Sequence, residues 1–524
     1  MSGDHRYAAL DSHATATSPP APPPLAARLR NLIASPSWTT RSRRTLALVA
    51  ASIGSLLFIA TVMHGGRAQD FAAGFAARRG RHGAGRAYEG MLQATLRHSE
   101  PQTELKKQMG DASFLTGMLF GGQSNQLLAL INLLFLGKEL GRAVILPPLT
   151  GIHFGAGQHR PFHLVYDLPR FYSLTSVAAI PLSSLKTPGY SGNVDERVTC
   201  WSLMEKYTGA PNVHAIETGF EEHKVFTDFW AVPPFPRSSE GAVLEVGPIV
   251  DFLSNMTARL EWVDTARREY LPQKSVPKGV GPSSIVAKDN VKAFFDPQHG
   301  VPPTDDDQLM CLDATFYVGD SVPPPPYQQH VPLDLWRVGR AWKEVGQHLH
   351  WLPEVEEHAD EYLMALFSVK RAEDIPPYIS VHVRRGDFKA FHGNTFTPLS
   401  SYVSAVDDIR AQLQARLDLP PSPSKPSLRA FPVPPASYAV VATTDEPPGS
   451  DLYAELAALG WHVVDHEEQR TVERLGEWYP AMLDGEILSR GQGFVGTQWS
   501  TFSMLSGNRV EYWQGGVQVV ANPR

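Results

Sequence analysis

Three short loops carry side chains that could bind an anion, and each loop follows an apolar run. The first runs from His382 to Asp387 (HVRRGD) and leaves the end of the apolar run 378–383. An arginine in such a loop can direct two parallel hydrogen bonds at phosphate oxygens, and it keeps its charge at any physiological pH. This loop therefore predicts a phosphate site centred on Arg384. A structural ion pair between Arg384 and Asp387, or a chance RGD triplet, is the alternative.

Glycines and amide side chains form the second loop, which runs from Gly121 to Asn125 (GGQSN). Glycine lets a ligand approach the backbone, and the first N–H groups of a helix have no intrahelical acceptor. The alternative is a tight turn whose helix is capped by Ser124 or Asn125, because these residue types are common caps. Alone, this loop only weakly indicates a ligand site.

Hydroxyl groups mark the third loop, which runs from Gly496 to Phe502 (GTQWSTF). It lies between a short apolar run and a helical pattern, so its hydroxyls can cap a helix or bind an anion. Taken by itself, the loop favours capping.

The elements that must position these loops alternate between strand and helix. Residues 114–120 and 143–146 are predicted strands, and a predicted helix from Ser124 to Leu140 joins them and ends at Gly141. This is a βαβ unit with a glycine-rich first turn, as in doubly wound sheets.

The C-terminal part repeats this alternation, which predicts a second parallel sheet. Its predicted strands are 378–383, 438–442, 461–464 and 493–496, and its predicted helices are 398–417, 451–459, 478–490 and 500–506. Residues 333–376 have a helical pattern and could belong to either half. Pro-rich inserts, expected to be loops, lie at 272–282, 297–332 and 418–436. In open parallel sheets, ligands bind beyond the carboxyl ends of the strands, where all three loops should lie.

Four stretches, in the expected order, resemble the GDP-fucose O-fucosyltransferase superfamily. They are GGQSNQLLALINLLFLGKELGRAVILPPL, VHVRRGDF, VVATTDE and DGEILSRGQGFVGTQWSTF. They are similar to its glycine-rich opening motif, its H-x-R loop, its A-T-D strand end and its D-x-x-I-x-S to S-T-F run. The resemblance implies a metal-independent α/β glycosyltransferase of the GT-B type without a cofactor. Such an enzyme has two Rossmann-like domains facing across a cleft.

The resemblance also implies which residues bind the substrate. They are Gly121, Gly122, Gln123, Ser124, Asn125, His382, Val383, Arg384, Asp484, Thr501 and Phe502. Arg384, the implied catalytic residue, would contact the β-phosphate and the leaving oxygen of GDP. Asp484 would face the guanine, and Asn125 would close over the diphosphate and sugar. The implied partners are a GDP-sugar and a glycoprotein or glycan acceptor. A membrane partner is predicted from the N-terminal region instead, and the net charge predicts no nucleic-acid partner.

Two positions depart from the superfamily pattern. Some branches place a glutamate in the first loop as the base that activates the acceptor, and this chain has Gly122 there. Either another group is the base, or catalysis relies on the leaving group, or the protein is an impaired GDP-sugar- or glycan-binding protein. A duplicated threonine before Asp445 leaves the role of that residue open. A dehydrogenase is disfavoured, because the chain has no convincing G-x-G-x-x-G turn followed by a ribose-binding acid.

Composition excludes several other classes of protein. With 47 basic and 54 acidic residues, the net charge of −7 excludes a generally basic nucleic-acid binder. Cys200 and Cys311 are too few for a disulfide scaffold or a four-thiolate zinc site, and they either pair or stay as thiols. The acidic run 305–307 lies in a Pro-rich insert and is interpreted as a solvated loop rather than a metal motif.

The N-terminal region predicts where the protein resides. Residues 45–63 carry no charge and are long enough to cross a bilayer, with a buried helix as the alternative. More arginines precede this segment than follow it, which favours a cytosolic N-terminus, a lumenal body and the Golgi. A cleaved signal peptide is disfavoured by the long leader. The predicted organisation is a disordered tail (1–44), a type II transmembrane signal anchor (45–63), a stem (64–111), an acceptor-side domain (112–375) and a GDP-sugar-side domain (376–524). The glycosylation sequon at Asn255 fits such a location.

Overall fold

The structure, a computed structural model, covers most of the chain after residue 82. It describes residues 83–119, 121–151, 159–203, 219–231, 244–261, 307–312, 315–319, 339–386, 396–418, 428 and 431–521. All of these belong to the compact unit formed by residues 81–524. Across these ranges, no helix is both long and apolar enough to cross a bilayer. The predicted tail and the predicted anchor at 45–63 lie outside them.

A six-stranded parallel sheet organises the first half, in the order β5-β2-β1-β9-β6-β7. The strands of this half are β1 (Phe114–Gly117), β2 (Ala143–Leu146), β3 (Leu149–Thr150), β4 (His159–Arg160), β5 (Ala179–Pro181), β6 (Glu196–Ser202), β7 (Val225–Ala231), β8 (Leu244–Glu245), β9 (Leu309–Leu312) and β10 (Val318–Gly319). β3 pairs with β4 and β8 pairs with β10 outside this sheet.

The helices that accompany this half are mostly short. They are α1 (Leu105–Gln108), α2 (Gln123–Leu140), α3 (Leu168–Thr175), α4 (Val246–Ser254), α5 (Arg340–Glu344) and α6 (Pro353–Leu366). α2 is buried along most of its length and ends at Gly141, whose φ of 64° is the left-handed conformation that glycine adopts easily. The predicted β1–α2–β2 unit is therefore confirmed, with β1 ending at Gly117.

A second parallel sheet has the order β13-β12-β11-β14-β15. Its elements are β11 (Tyr378–Val383), α7 (Leu399–Leu417), β12 (Ala439–Thr444), α8 (Asp451–Ala458), β13 (His462–Val463), α9 (Thr471–Leu475), α10 (Tyr479–Ser489), β14 (Gly493–Thr497), α11 (Thr501–Trp513) and β15 (Val517–Ala521). The predicted alternation of strands and helices is confirmed here, but the short helix α9 and the edge strand β15 were not predicted.

The Pro-rich insert at 297–332 was expected to be a loop, and this expectation is wrong for residues 309–312. These four residues (LMCL) are fully or nearly buried as β9, at the centre of the first sheet between β1 and β6. Parallel strands buried on both faces are short apolar runs without alternation, so periodicity could not separate this one from its surroundings.

Cys200 on β6 and Cys311 on β9 form a disulfide. The two residues are direct partners in the parallel register of these strands, and both are fully buried. The sequence left pairing and free thiols equally open, because the neighbouring strands that bring the cysteines together are 111 residues apart in the chain.

Residues 83–111, placed by sequence within the stem, pack onto the first half of the described fold. Residues 83–95 are helical, and Tyr88 and Met91 are buried in the main core. The Tyr88 hydroxyl donates a 2.8 Å hydrogen bond to the carbonyl oxygen of Ala179 on β5. The folded body therefore includes residues that precede the predicted boundary at 112.

An aromatic cluster around Arg509 connects the two halves. The guanidinium carbon lies 4.6 Å from the ring centre of Trp351, 5.2 Å from that of Trp513 and 5.9 Å from that of Tyr166. Tyr166 belongs to the first half, whereas Arg509 and Trp513 are on α11. Cation–π attraction of this kind helps to fix α11, the helix that follows the third loop, against the first half.

Candidate active site

The loop that follows β11 is fixed to the end of the neighbouring strand β14. The backbone N–H of Arg384 donates to Thr497 Oγ1 at 2.9 Å, and that hydroxyl donates to the carbonyl oxygen of His382 at 2.8 Å. Tyr402 on α7 also hydrogen-bonds to Thr497 Oγ1 at 2.8 Å. Thr497 thus sets the direction in which Arg384 leaves the sheet, and sequence reasoning did not single out this residue.

The Arg384 side chain pairs with Asp445, which directly follows β12. The distance from Arg384 Nη1 to Asp445 Oδ2 is 2.7 Å, and Asp445 Oδ1 accepts a 2.7 Å hydrogen bond from the backbone N–H of Arg385. A Cβ at Gly386 would lie 2.2 Å from Asp445 Oδ2, so only glycine permits this approach. The carboxylate therefore orients the arginine. The other suggested partner, Asp387, lies outside the described residues.

His382 is a buried, neutral ring behind this loop. Its Nδ1 is 2.7 Å from Ser503 Oγ, and its ring centre is 5.0 Å from that of Phe502. Burial, with a smaller effect of the positive charge on Arg384, lowers the pKa of His382 to about 3. The imidazole can therefore hold a neighbour by hydrogen bonding and packing, but at neutral pH it is not the imidazolium that would act as a general acid. The Val383 side chain is fully buried in the core of the second sheet, so only its backbone can reach a ligand.

The third loop caps a helix and also presents N–H groups. Ser500 caps α11 by accepting a hydrogen bond from the backbone N–H of Ser503 at 3.2 Å, so the capping interpretation is confirmed for this residue. The first helical N–H groups, those of Thr501 and Phe502, have no acceptor within the helix. Both side chains are partly exposed. The start of α11 can therefore cap itself and still attract an anion.

Asp484 lies in the middle of α10 and is only 16% exposed. Its Oδ1 is 3.0 Å from His466 Nε2. A Cβ on the adjacent Gly485 would lie 3.7 Å from Phe502 Cε2 and 2.6 Å from Trp351. α10 thus packs against the Phe502 ring at Gly485, the residue next to Asp484.

In the first half, Gly121 turns the chain and Gly122 is the N-cap of α2. Gly121 has a φ of 75°, and no side chain caps this helix, so the alternative with Ser124 or Asn125 as caps is wrong. Gln126 instead holds the loop, since its Nε2 donates to the carbonyl oxygen of Gly121 at 2.8 Å and to that of Thr150 at 3.0 Å. Sequence reasoning missed Gln126, because a buried glutamine in an apolar helix gives no distinct signal.

One side chain of this loop has an unused donor. Within the described ranges, the buried Gln123 Nε2 has no hydrogen-bond partner. A buried donor without an acceptor is unfavourable by about 1–3 kcal/mol, so a ligand oxygen that reached it would be stabilising. This observation favours the predicted substrate-binding role of the loop.

The structure groups the predicted site residues into two sets. Arg384, His382, Phe502 and the helix that carries Asp484 meet at the carboxyl edge of the second sheet. The loop from Gly121 to Asn125 lies at the carboxyl end of β1, in the other sheet.

The acidic run predicted to be a solvated loop is described only at Asp307, whose side chain is 56% exposed. It pairs with Arg142 at 3.2 Å and with Arg259 at 2.7 Å. Among the residues that the structure describes, no group of three or more His, Cys, Asp or Glu side chains is placed to hold a metal ion.

A family model described as GDP-fucose protein O-fucosyltransferase matches residues 211–512, which is more than half of the chain. The chain belongs to this family. It is therefore a glycosyltransferase of the fucosyltransferase type, and the matched range includes His382, Arg384, Asp484 and Phe502. The resemblance found in the sequence motifs is confirmed.

Solved structures of fucosyltransferases are also similar to this O-fucosyltransferase family member. POFUT1 in complex with GDP-fucose is 14% identical, with 79% of this chain and 98% of that chain covered and a TM-score of 0.41. NodZ alpha-1,6-fucosyltransferase co-crystallized with GDP is 12% identical, with 76% and 92% covered and a TM-score of 0.34. A NodZ fucosyltransferase structure from Bradyrhizobium gives the same values. No curated protein matches the chain.

The buried state of His382 predicts a pH-dependent stability. Its pKa is 6.5 when exposed and about 3 in the folded protein, so the unfolded chain binds a proton that the folded chain excludes. The contribution of His382 to the free energy of unfolding is complete above pH 6.5 and is lost as the pH falls towards 3. Between pH 7.5 and pH 5, we expect the free energy of unfolding to fall by about 2 kcal/mol through this residue alone.

Urea unfolding of the wild type and His382→Asn at both pH values measures this effect. Asparagine keeps a polar group near the position of Nδ1 and does not titrate, so its pH dependence should be weaker by the amount stated. If the free energy of unfolding falls equally in the two proteins between these pH values, folding does not lower the pKa of His382.

Proposed function

We propose that this protein transfers fucose from GDP-fucose to a hydroxyl group of a protein or glycan, without a metal ion. The observation that carries the proposal is the family match over residues 211–512, which spans the loop of Arg384 and the helices of Asp484 and Phe502. Family membership supports the GDP-fucose donor. The acceptor is proposed only by its class, because the N-terminal half that would shape its pocket has the least sequence resemblance.

Leaving-group stabilisation is the main chemical step that this site can supply. Cleavage of the bond between the anomeric carbon and the diphosphate leaves positive charge on the sugar and negative charge on GDP. Arg384, held by Asp445 and by its backbone bond to Thr497, would meet the departing β-phosphate oxygen. The N–H groups of Thr501 and Phe502 at the start of α11 would add partial positive charge. Donors fixed before the reaction stabilise developing charge without reorganisation.

Base recognition would come from Asp484. A carboxylate can accept hydrogen bonds from the adjacent N1–H and N2 amino groups of guanine, and the partly buried position of Asp484 would strengthen them. Phe502, between His382 and α10, would offer an apolar surface to the nucleotide. The loop from Gly121 to Asn125, with the unpaired Gln123 Nε2, would approach the sugar and diphosphate from the first half.

The second candidate function is an impaired protein that binds a GDP-sugar or a glycan without turnover. Gly122, at the position of the glutamate base in some branches, is the observation that favours it. Transfer by leaving-group activation would not need that glutamate. A hydrolysis and transfer assay with GDP-fucose and a broad panel of acceptors separates the two functions, because binding without any turnover would favour the impaired protein.

Ligand-dependent stabilisation tests the proposed donor. We expect GDP and GDP-fucose to raise the melting midpoint, while UDP and ADP have little effect. At a hundredfold excess of ligand over Kd, the free energy of unfolding should rise by about 2.7 kcal/mol. The measurement is a thermal shift series over ligand concentration. Equal responses to all four nucleotides, or no response, would contradict a guanine-specific site.

The proposed topology is that of a type II membrane protein with a lumenal body. The proposed compartment is the Golgi in preference to the endoplasmic reticulum. Three features support it: the arginine asymmetry around residues 45–63, the disulfide, which persists in oxidising compartments, and the exposed sequon. Asn255 is exposed and uses Oδ1 to accept a hydrogen bond from Ala258 N–H, whereas a glycan would attach to Nδ2. Protease treatment of intact microsomes should spare everything after Met63, and digestion of the C-terminal half without detergent would contradict this topology.

A further inference from the structure

Four polar side chains form a continuous hydrogen-bonded chain that ends at Asp484. Tyr362 on α6 hydrogen-bonds to Thr471 at the start of α9, and Thr471 Oγ1 is 3.0 Å from His466 Nδ1. His466 Nε2 is in turn 3.0 Å from Asp484 Oδ1. Tyr362 and Thr471 are 4% and 0% exposed, whereas His466 and Asp484 are partly exposed. This series of hydrogen bonds therefore runs from the buried Tyr362 to the partly exposed Asp484.

The chemistry of the four groups fixes which of them donates and which accepts in each hydrogen bond of the series. An ionised carboxylate only accepts hydrogen bonds, so Nε2 of His466 must carry the proton that it shares with Asp484. When the ring has one proton, Nδ1 accepts from the Thr471 hydroxyl, and Thr471 Oγ1 accepts from Tyr362. Burial raises the pKa of the Tyr362 phenol, so Tyr362 keeps the proton that it donates. Each donor in the series thus has one acceptor.

We propose that His466 is a positioning residue that sets the rotation of the Asp484 carboxylate for reading guanine. This inference rests on the proposed function, in which Asp484 binds the base. The terminal torsion of an aspartate is broad and roughly two-fold, so the side chain alone does not fix the carboxylate plane. The bond from His466 occupies one lone pair of Oδ1 and holds that plane. The remaining lone pairs can then meet N1–H and the N2 amino group together.

The N2 amino group provides the critical comparison, because inosine diphosphate differs from GDP only by its absence. A carboxylate held in one orientation should gain more binding affinity from its hydrogen bond to that amino group than a carboxylate that rotates. Loss of positioning should therefore change the ratio of the two affinities. A general loosening of the fold should weaken both ligands alike and leave the ratio unchanged.

Calorimetric titration of the full-length protein with GDP and with inosine diphosphate tests the proposal. The variants are His466→Leu, which removes both ring nitrogens, and His466→Gln, whose amide can place a donor near the position of Nε2. We expect the wild type to prefer GDP by about tenfold or more, His466→Leu to lose most of that preference, and His466→Gln to recover part of it. Tyr453→Phe is the matched control. Tyr453 is electrostatically coupled to Asp484, but its hydroxyl donates to the Val464 carbonyl at 3.4 Å, so the preference should persist.

The outcomes distinguish this inference from the function on which it rests. A wild-type preference for GDP that persists unchanged in His466→Leu would overturn the positioning role and leave the proposed function intact. A wild type that binds neither nucleotide would overturn both. If His466→Leu does not fold, Thr471→Val supplies the test, because it removes the hydroxyl that orients the imidazole at nearly constant volume. We expect Thr471→Val to reduce the preference by a smaller factor, and an unchanged preference in that variant would also overturn the proposal.

Discussion

Arg384→Lys should lower kcat by about 10²–10³, equivalent to about 2.7–4 kcal/mol of transition-state stabilisation, while GDP affinity changes much less. Lysine keeps the positive charge but loses the planar fork of donors. In the folded protein, Arg384 Nη1 lies 2.7 Å from Asp445. Asp445 therefore holds the side chain in the orientation in which its planar guanidinium would meet the leaving oxygen. A lysine ammonium cannot keep both contacts in the same geometry.

Ground-state binding should survive this substitution, because it also draws on Asp484, Phe502 and the start of α11. Single-turnover kinetics, GDP titration and the melting midpoint, measured on the same preparation, separate the two effects. Arg385→Lys is the matched control. The Arg385 guanidinium carbon lies 5.3 Å from the ring centre of Phe396, and its backbone N–H, which a substitution retains, makes the bond to Asp445. We expect kcat of this control to stay close to the wild-type value.

The competing explanation is that the pair between Arg384 and Asp445 only holds the loop. In that case Arg384→Lys would lower the melting midpoint and leave kcat per folded molecule unchanged. That result would remove Arg384 from the catalytic step and, with it, the leaving-group mechanism proposed for this site.

Asp484→Ala should weaken GDP binding by about a hundredfold and reduce the preference for guanine over other bases. The physical reason is that a partly buried carboxylate makes stronger hydrogen bonds than an exposed one, and a wrong base leaves it unpaired. The side chain is 16% exposed and bonded to His466, so it is not a solvated surface acid.

Titration with GDP, inosine diphosphate and ADP measures this effect, and Asp484→Asn adds a second reading. Asparagine can still accept the bond from His466 through Oδ1, but its amide group opposes the guanine donors, so binding should fall without loss of the fold. Glu473→Gln on α9 is the control, because that carboxylate is 63% exposed and pairs with Arg470. A folded Asp484→Ala protein with wild-type GDP affinity would place the base elsewhere.

Local sequence patterns predicted part of this fold. The apolar runs of β1, β2, β11, β12 and β14 were predicted, as were the helices α2, α7, α8, α10 and α11, although α11 continues to Trp513. The edge strand β15 and four strands of the first sheet, β5, β6, β7 and β9, were not predicted. β9 is a short apolar run without a periodic pattern. Glycine-rich punctuation identified the turn at Gly121, whose positive φ requires that residue type in practice.

The sequence by itself determined the family and the types of group at the site, because the strand-end motifs are contiguous in the chain. It assigned Arg384, His382 and Asp484 through a motif, and residues in a motif keep their order whatever the fold does. Only the tertiary structure decided what holds these groups. Asp445 lies against Arg384, Ser503 lies against His382, and His466 lies against Asp484, across separations in the chain that no local pattern spans. The same holds for Cys200 and Cys311, which become neighbours only because β6 and β9 are adjacent in one sheet. Chain order specifies which side chains follow each strand, but the pairing of strands specifies which of those side chains meet.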